Sequence, residues 1–319
     1  MRFPPVSVGP SSARCAVAVC ALLFSSAAWA QPAPRAELTE KFRAQLAAIA
    51  QRTNGVVGIG VIDLTTGDRI GVNDSATFPQ GSAIKVSILL ELFRQRDAGA
   101  LRLDERVAMR AADRAGGSGI TQYFGDGASA LSLGDLAVLM IVLSDNTATN
   151  LLIDRVGMER VNALMQQLRL PGIRLQRRMI RPAESAAGRE NVATPAQAAQ
   201  LLQRLHACDL PISRASCEEV RRILEIPKAG SVPASLPGDV RVAWKGGSVE
   251  GVETAWALVA LPGRPYVITV MVTYGDAAEA LAAIRQVADA SWEYFRRLAR
   301  ASAYGVRVPL SLVDSIRTP

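Results

Sequence analysis

Two lysines stand where a protein could use a titratable amine. Lys85 follows Ser82 by three residues in an apolar stretch, and Lys245 precedes two glycines in a predicted strand. The chain has only four lysines among its 36 basic residues, and the others are arginines. Because arginine stays protonated at any working pH whereas a desolvated lysine can lose its proton, lysine at these positions favours a requirement for proton transfer. The alternative is that a Ser-x-x-Lys string arises by chance in a chain of this size.

The segment around Ser82 predicts how this serine and Lys85 are held. Residues 78–81 (Phe-Pro-Gln-Gly) disfavour a helix, so we expect Ser82 in the first turn of a helix over residues 82–96, where partial positive charge favours a developing anion. A spacing of three places Lys85 one turn later on the same face. Lys85 is the only charged residue between Ser82 and Leu90, so the helix should be buried and the lysine paired or deprotonated. The alternative is that Ser82 only caps the helix and Lys85 extends to solvent.

Two further segments present small polar groups, or a lysine beside glycines. Residues 144–146 (Ser-Asp-Asn) close the apolar stretch 139–143 and precede the polar segment 147–150, so hydrogen-bonding groups lie between two helices. Alone, this would be an ordinary helix-to-helix turn. Residues 245–248 (Lys-Gly-Gly-Ser) lie on a predicted strand, where the glycines let a ligand approach the backbone and Lys245 can hold a carboxylate.

The elements that must position these residues follow a simple order. Hydrophobic periodicity predicts helices over residues 38–51, 82–96, 133–143, 148–156, 158–168, 195–207 and 277–300, and strands over 56–63, 69–72, 241–245, 252–261 and 266–274. This order predicts an α/β (α+β) fold, in which both chain ends build one antiparallel five-stranded sheet with flanking helices and an all-helical lobe is inserted between them. We expect the first lobe over about 37–80 and 225–300, the second over about 82–222, and the active cleft between them.

The N-terminal residues predict export. Residues 1–30 combine two arginines, a stretch of apolar or small residues and an Ala-Trp-Ala cleavage site, so we expect a signal peptide cut after Ala30 and a secreted, periplasmic protein. No later segment offers about 18 unbroken apolar residues, so we expect no membrane span. Residues 31–319 would form one large domain, with 301–319 as a tail, and we expect a monomer.

Composition argues against several classes of function. The net charge of +7 falls to +5 without the two arginines of the leader, and there is no dense basic run, so nucleic acid is not an expected partner. His206 is the only histidine and no G-x-S-x-G string exists, so a Ser-His-Asp triad is not expected. The chain offers no zinc constellation, and we expect neither a metal nor a cofactor. Cys208 and Cys217 could form a disulfide or remain free.

Together and in this order, the three segments resemble the S-x-x-K, S-D-N and K-T-G motifs of class A β-lactamases and their penicillin-binding relatives. The resemblance covers most of residues 31–319 and implies a β-lactamase/transpeptidase-like fold. It also implies that Ser82 is the acylated nucleophile, that Lys85 is its activating base or relay, and that Ser144 carries a proton to the leaving nitrogen. The role of Lys85 requires its amine within hydrogen-bonding reach of the Ser82 hydroxyl.

The resemblance further implies substrate-binding roles for Asn146, Lys245, Gly247 and Ser248. Asn146 would contact the side-chain amide of the substrate, and Lys245 would position its carboxylate. The backbone N–H groups of Ser82 and Ser248 would form the oxyanion hole. Asn150 would brace the loop that borders the cleft.

That loop, residues 171–193, is where the sequence departs from the family. In class A enzymes it carries a glutamate that activates water for deacylation, within an E-x-x-x-N string, and this chain has no such string. Glu184 and Glu190 are the loop's only carboxylates, among five arginines with which either could simply pair. Glu184 is our candidate for the water-activating residue.

The strand motif departs as well. Gly246 replaces the threonine of K-T-G, although the hydroxyl of Ser248 could compensate. Many class A enzymes keep an arginine on the next strand, whereas here Thr254 lies near that place. The groups needed to form an acyl-enzyme are present, and the group that releases it is in question.

We therefore expect a secreted serine hydrolase that opens β-lactam rings through an acyl-enzyme on Ser82. The substrate would be a small molecule, a β-lactam or a D-Ala-D-Ala-like peptide. One alternative is a D-Ala-D-Ala peptidase or esterase of the same fold. Another is a penicillin-binding protein that is acylated once and does not turn over.

Overall fold

A computed structural model describes residues 1–4, 34–125, 127–302 and 305–306. Most of the predicted signal peptide, and the predicted tail beyond residue 306, lie outside these residues. Within the described part of the chain, no helix combines the length and the apolar composition that a bilayer crossing requires.

The described helices are α1 (Pro34–Arg52), α2 (Lys85–Asp97), α3 (Leu133–Val142), α4 (Asn146–Val156), α5 (Met158–Gln167), α6 (Pro182–Ala186), α7 (Pro195–Ala207), α8 (Arg214–Glu225), α9 (Ser231–Ala234) and α10 (Ala277–Ala299). Short 3₁₀ turns cover Gly81–Ile84, Ala111–Asp113 and Thr121–Tyr123. The helix α8 was not predicted, although Ser213 caps it and its buried Val220, Ile223 and Leu224 follow helical spacing.

The described strands are β1 (Val56–Asp63), β2 (Arg69–Val72), β3 (Phe78–Pro79), β4 (Arg106–Ala108), β5 (Ala130–Ser132), β6 (Val192–Ala193), β7 (Val242–Val249), β8 (Val252–Val259), β9 (Tyr266–Thr273), β10 (Ala301–Ser302) and β11 (Gly305–Val306). Five of them form one antiparallel sheet in the order β2-β1-β9-β8-β7. The predicted sheet built from both ends of the chain is therefore confirmed, and β7, which carries Lys245, is an edge strand.

Each face of this sheet is covered by helices. On one face α1 and α10 pack against the strands, where Phe42 stacks on Tyr294 and Phe295 on Tyr266, both with ring centroids 4.2 Å apart. The other face joins the core around α2, in which residues 85–93 are all buried. Because residues 85–93 are all buried, as the apolar run between Ser82 and Leu90 predicted, Lys85 does not reach solvent.

The structure refines two local expectations. The helix predicted from Ser82 begins as the 3₁₀ turn Gly81–Ile84, and the α-helix starts at Lys85. Cys208 at the end of α7 and Cys217 in α8 form a disulfide. This bond connects two helices that a short turn separates in sequence.

Candidate active site

The 3₁₀ turn that carries Ser82 is held against β8 by a buried glutamine. The side chain of Gln80 donates to the carbonyl of Phe78 at 2.9 Å and accepts from Trp256 Nε1 at 2.9 Å. Thr254 donates its hydroxyl to the carbonyl of Gln80 at 3.0 Å. Thr254 is 3% exposed, and this bond helps to fix the turn.

A close approach of two backbones lies next to Ser82. A Cβ on Gly247 would collide with the carbonyl of Gln80 and would lie 2.7 Å from Ser82 N, so only glycine fits there. On the other side Gly81, with φ +48°, would place a Cβ 3.0 Å from Ser248 N. The amides of Ser82 and Ser248 are thereby brought into one small region, as an oxyanion hole requires.

Lys85 is fully buried beside the Ser-Asp-Asn segment. Its Nζ donates to Ser144 O at 2.7 Å, to Ser144 Oγ at 3.1 Å and to Asn146 Oδ1 at 3.0 Å. Burial, and next the charge of Lys245, hold the pKa of Lys85 well below its ordinary value, while Asp145 opposes this shift. Across the described residues, Lys85 makes no hydrogen bond to Ser82, so the expected contact between amine and hydroxyl is replaced by contacts to Ser144 and Asn146.

Ser144 lies between the two site lysines. Its Oγ accepts from Lys85 Nζ and from Lys245 Nζ, each at 3.1 Å. Its backbone has φ +52°, an uncommon conformation for serine, which costs free energy and is often kept at functional sites. The neighbouring Asp145 accepts from the amides of Ile120 and Ala148 and from Thr121, which holds the segment in place.

Lys245 is the second buried amine. It is 4% exposed, and its Nζ donates to Ser144 Oγ and, at 2.7 Å, to Gly246 O. Burial, and to a smaller extent the charge of Lys228, lower the pKa of Lys245 to about 7. Two amines of low pKa therefore share one hydroxyl, an arrangement that can pass a proton from one side of the cleft to the other.

Asn146 and Asn150 connect α4 to the cleft walls. Asn146 Nδ2 donates to Gly116 O at 2.9 Å. Asn150 accepts from Met179 N at 2.7 Å and donates to Met179 O at 3.2 Å, so it fixes the backbone of loop 171–193 at Met179. The groove between this loop and Ser82, which we call the loop-side groove, is lined by Ser82, Asn146, Arg177, Met179, Arg181 and Ser248 among others.

Neither carboxylate of the loop faces this groove. Glu184, in α6, is exposed and forms an ion pair with Arg189, whose hydrogen bond is the main cause of its lowered pKa. Glu190 pairs with Arg177 at 2.9 Å and accepts from Ser185. Among the described residues that line the loop-side groove, the loop contributes no acidic side chain.

A second groove runs along the edge of β7 and shares Ser82 with the first. We call it the strand-side groove, and Ser82, Ser144, Lys228, Trp244, Lys245 and Glu253 are among the residues that line it. Sequence reasoning did not single out Met179, Lys228, Trp244, Glu253 or Gln80. The pairing of β7 with β8 would have placed Glu253 opposite Ser248, whose Oγ donates to Glu253 Oε1 at 2.6 Å.

The sequence-predicted site residues thus fall into two sets. Ser82, Ser144, Asn146, Lys245, Gly247 and Ser248 lie around one cleft, with Lys85 buried behind it. Asn150 is bonded to the backbone of the loop at Met179, whereas Glu184 is not among the residues that line the cleft. The part of the chain that the structure describes contains no cluster of three His, Cys, Asp or Glu side chains suited to a metal ion.

The chain is similar in sequence and in fold to known β-lactamases. The sequence model of the "Beta-lactamase enzyme family" matches residues 41–295. The crystal structure of a β-lactamase from Sphaerobacter thermophilus is 31% identical, with a TM-score of 0.74, and covers 79% of this chain and 97% of that one. The structure of PBP-A is 27% identical, with a TM-score of 0.74, and covers 80% and 96% of the two chains. A β-lactamase from Rhodobacter capsulatus is 27% identical over 241 residues, which are 73% of this chain and 80% of that protein.

Proposed function

The chain belongs to the beta-lactamase enzyme family and is a serine β-lactamase-like hydrolase, and from this premise we propose that it opens β-lactam rings by class A-like acylation of Ser82 and releases the product slowly. One observation carries the proposal. The two buried amines of Lys85 and Lys245 share the hydroxyl of Ser144, in a cleft that also contains Ser82. The substrate is a small molecule, and no metal or cofactor takes part.

Acylation would proceed in two proton transfers. Ser82 Oγ attacks the lactam carbonyl while its proton passes to the neutral amine of Lys85, and the amides of Ser82 and Ser248 stabilise the oxyanion. The C–N bond then breaks, and the proton moves from Lys85 through Ser144 to the leaving nitrogen. The hydrogen bond from Ser82 to Lys85 would form in the complex, since catalytic hydrogen bonds often tighten only when substrate is bound.

We propose the binding roles that the family resemblance implies. Lys245 positions the carboxylate of the substrate, and Asn146 contacts its side-chain amide. Gly247 would contact the substrate through its backbone, and a side chain there would collide with the turn that carries Ser82. Asn150 supports the loop.

Slow deacylation is supported by the lining of the loop-side groove. Glu184 and Glu190 are both paired with arginines, and the residue that Asn150 fixes in the groove wall is Met179, which has no proton acceptor suited to activating water. General base catalysis is worth about 10²- to 10⁴-fold. An acyl-enzyme without a positioned base should therefore persist.

We propose further that residues 1–30 are a signal peptide removed in export, and that residues 31–319 act in the periplasm as one monomeric hydrolase domain with an α/β lobe and a helical lobe. Capture of β-lactams in that compartment would contribute to antibiotic resistance. Secretion is tested by N-terminal sequencing of the protein recovered from a periplasmic fraction, for which we expect Gln31 at the N-terminus.

Time-resolved intact mass after mixing with benzylpenicillin tests acylation and release separately. We expect one covalent adduct per molecule, mapped to Ser82, that decays much more slowly than it forms. Ser82→Ala should give no adduct. Ser87→Ala is the matched control, because Ser87 is buried in α2 with its hydroxyl on Ile84 O and does not line the cleft. Absence of any adduct on the wild type would contradict the proposal, and rapid turnover would contradict its second half.

A second candidate function is hydrolysis of a D-Ala-D-Ala peptide by the same residues. The observation that favours it is on the loop side of the cleft, where Arg177, Arg181 and Asn191 present polar groups that suit a peptide. Release of D-alanine from a muramyl pentapeptide mimic, lost in Ser82→Ala, would support this candidate. A stoichiometric adduct that never decays, without release of D-alanine, would instead favour a protein that is acylated once.

A further inference from the structure

The two side-chain hydroxyls that follow Lys245 on β7 and β8 are engaged within the protein. Thr254 donates its hydroxyl to Gln80 O and is almost fully buried. Ser248 donates its hydroxyl to Glu253, a buried carboxylate that would repel an anion. Ser248 therefore does not compensate for the missing threonine at position 246 in this arrangement. Of the side chains of residues 245–254, all of which the structure describes, Lys245 remains the donor for a substrate carboxylate.

A second cation lies in the same groove. Lys228, in the segment between α8 and α9, lines the strand-side groove together with Ser82 and Lys245. Its Nζ donates to Leu224 O at 2.6 Å and to Ile226 O at 3.0 Å. Because an ammonium group has three protons, these two bonds hold the amine in place and leave one proton for a ligand.

Trp244 sets the position of this cation. The Lys228 amine lies 5.6 Å from the centroid of a Trp244 ring, within the range of a cation–π contact. A Cβ on Gly246 would lie 2.9 Å from Trp244 Cζ3, and one on Gly230 would collide with the same indole. The indole thus fills the space that a side chain at position 246 would need, which gives a physical reason for glycine in place of threonine.

We propose that Lys228 is a specificity-determining residue, which binds the carboxylate of the substrate together with Lys245. Trp244 holds the Lys228 side chain in place. The inference rests on the proposed function, because it concerns a substrate with a carboxylate next to the scissile amide. Lys228 and Lys245 are close enough for the charge of Lys228 to act on Lys245, so an anion placed between them relieves their repulsion. An ammonium group is a compact point charge that suits this task.

The test compares substrates that differ only in this carboxylate. Rate constants for acylation by benzylpenicillin and by its methyl ester are measured by intact mass for Lys228→Gln, Lys228→Met and Lys228→Arg. For Lys228→Gln and Lys228→Met we expect the rate constant for acylation by the acid to fall about 10- to 100-fold, because one charge-assisted hydrogen bond is lost. The rate constant for acylation by the ester should stay nearly constant. Lys228→Arg should keep most of the wild-type rate.

Controls separate binding from folding. Lys41→Met removes an exposed lysine of α1 and should change neither rate. If Lys228→Met folds poorly, Lys228→Gln serves in its place, because its amide can still donate to the carbonyls at the end of α8. Thermal unfolding shows whether each of the two variants is folded. An equal loss for acid and ester, or no loss for the acid, would overturn the assignment to Lys228.

Binding of the carboxylate by Lys228 can also be tested without the acylation reaction. In a Ser82→Ala background, equilibrium binding of benzylpenicillin, followed by tryptophan fluorescence, should weaken about 10- to 100-fold on adding Lys228→Gln, and binding of the methyl ester should not. If the wild type forms no acyl-enzyme but this difference in binding is seen, the proposed function fails and the carboxylate site stands. If acylation occurs and the difference is absent, the carboxylate site fails alone.

Discussion

The substitution Lys245→Met should stabilise the free protein while it disables acylation, and the gain should depend on pH. Burial lowers the pKa of Lys245 from 10.5 to about 7 in the folded chain, whereas the unfolded chain keeps the ordinary value. Between these two values the unfolded state binds a proton that the folded state does not. Stability due to this group therefore falls as pH decreases from about 10.5 to about 7, and the full cost is present below about 7.

The size of the effect follows from that difference in pKa. It corresponds to about 5 kcal/mol at low pH, and to a change of about 3 kcal/mol between pH 6 and pH 9.5. Loss of the hydrogen bonds from Lys245 to Ser144 and Gly246 costs about 1–3 kcal/mol at every pH and offsets part of the gain. We expect Lys245→Met to be more stable by about 2–4 kcal/mol at pH 6 and close to neutral at pH 9.5.

Urea unfolding of wild type and variant at several pH values, followed by tryptophan fluorescence with the disulfide intact, measures this difference. The m-values should agree, so that the difference in free energy of unfolding is well defined. Lys41→Met, an exposed lysine, should show no comparable dependence on pH. A difference between Lys245→Met and wild type that stays flat from pH 6 to pH 9.5 would refute the reasoning, because the amine would then not be desolvated in the folded state.

Three further predictions concern catalysis. Met179→Glu should shorten the lifetime of the acyl-enzyme by about 10²- to 10⁴-fold, because Asn150 fixes this position in the groove wall and a carboxylate there can activate water. Met179→Gln is the control, and an unchanged lifetime of the Met179→Glu adduct would count against the idea. The rate constant for acylation by benzylpenicillin should fall as pH rises above about 7, because Lys245, whose pKa is about 7, must be charged to hold a carboxylate. Acylation by the methyl ester should lack this decline, and identical pH profiles for the two compounds would contradict carboxylate binding by Lys245. Gly247→Ala should abolish acylation by either compound, since a Cβ would collide with the Gln80 carbonyl, and a variant that retains the wild-type rate would show that the two backbones are not in close contact.

The residues that could do chemistry, and the elements that carry them, were readable from the sequence. The spacing of Ser82 and Lys85 and the apolar residues after them predicted a buried helix, and the strands near both ends of the chain predicted the antiparallel sheet. These features are local, since helical and strand periodicity depend on neighbouring residues. The bounds of α7, Pro195–Ala207, agree with the prediction because Thr194 caps the helix and Pro195 begins it.

Only the tertiary structure decided which groups meet. Lys85 bonds to Ser144 and Asn146, about 60 positions away along the chain, and not to Ser82 in its own turn. The disulfide, left open by the sequence, also required two helices to be brought together. Such contacts depend on how helices pack and on which residue of one strand lies opposite which residue of the next.

The same holds for the groups around the cleft that the motifs do not contain. Lys228 enters the strand-side groove from the segment after α8, Glu253 faces Ser248 through the register of β7 and β8, and Met179 is placed by Asn150. The sequence alone thus predicted the type of chemistry, because the type of chemistry depends on which residue types are present and in what order they occur. The pKa values of the lysines, the preference for a charged substrate and the rate of product release depend on residues from distant segments. Only the packed structure brings those segments together.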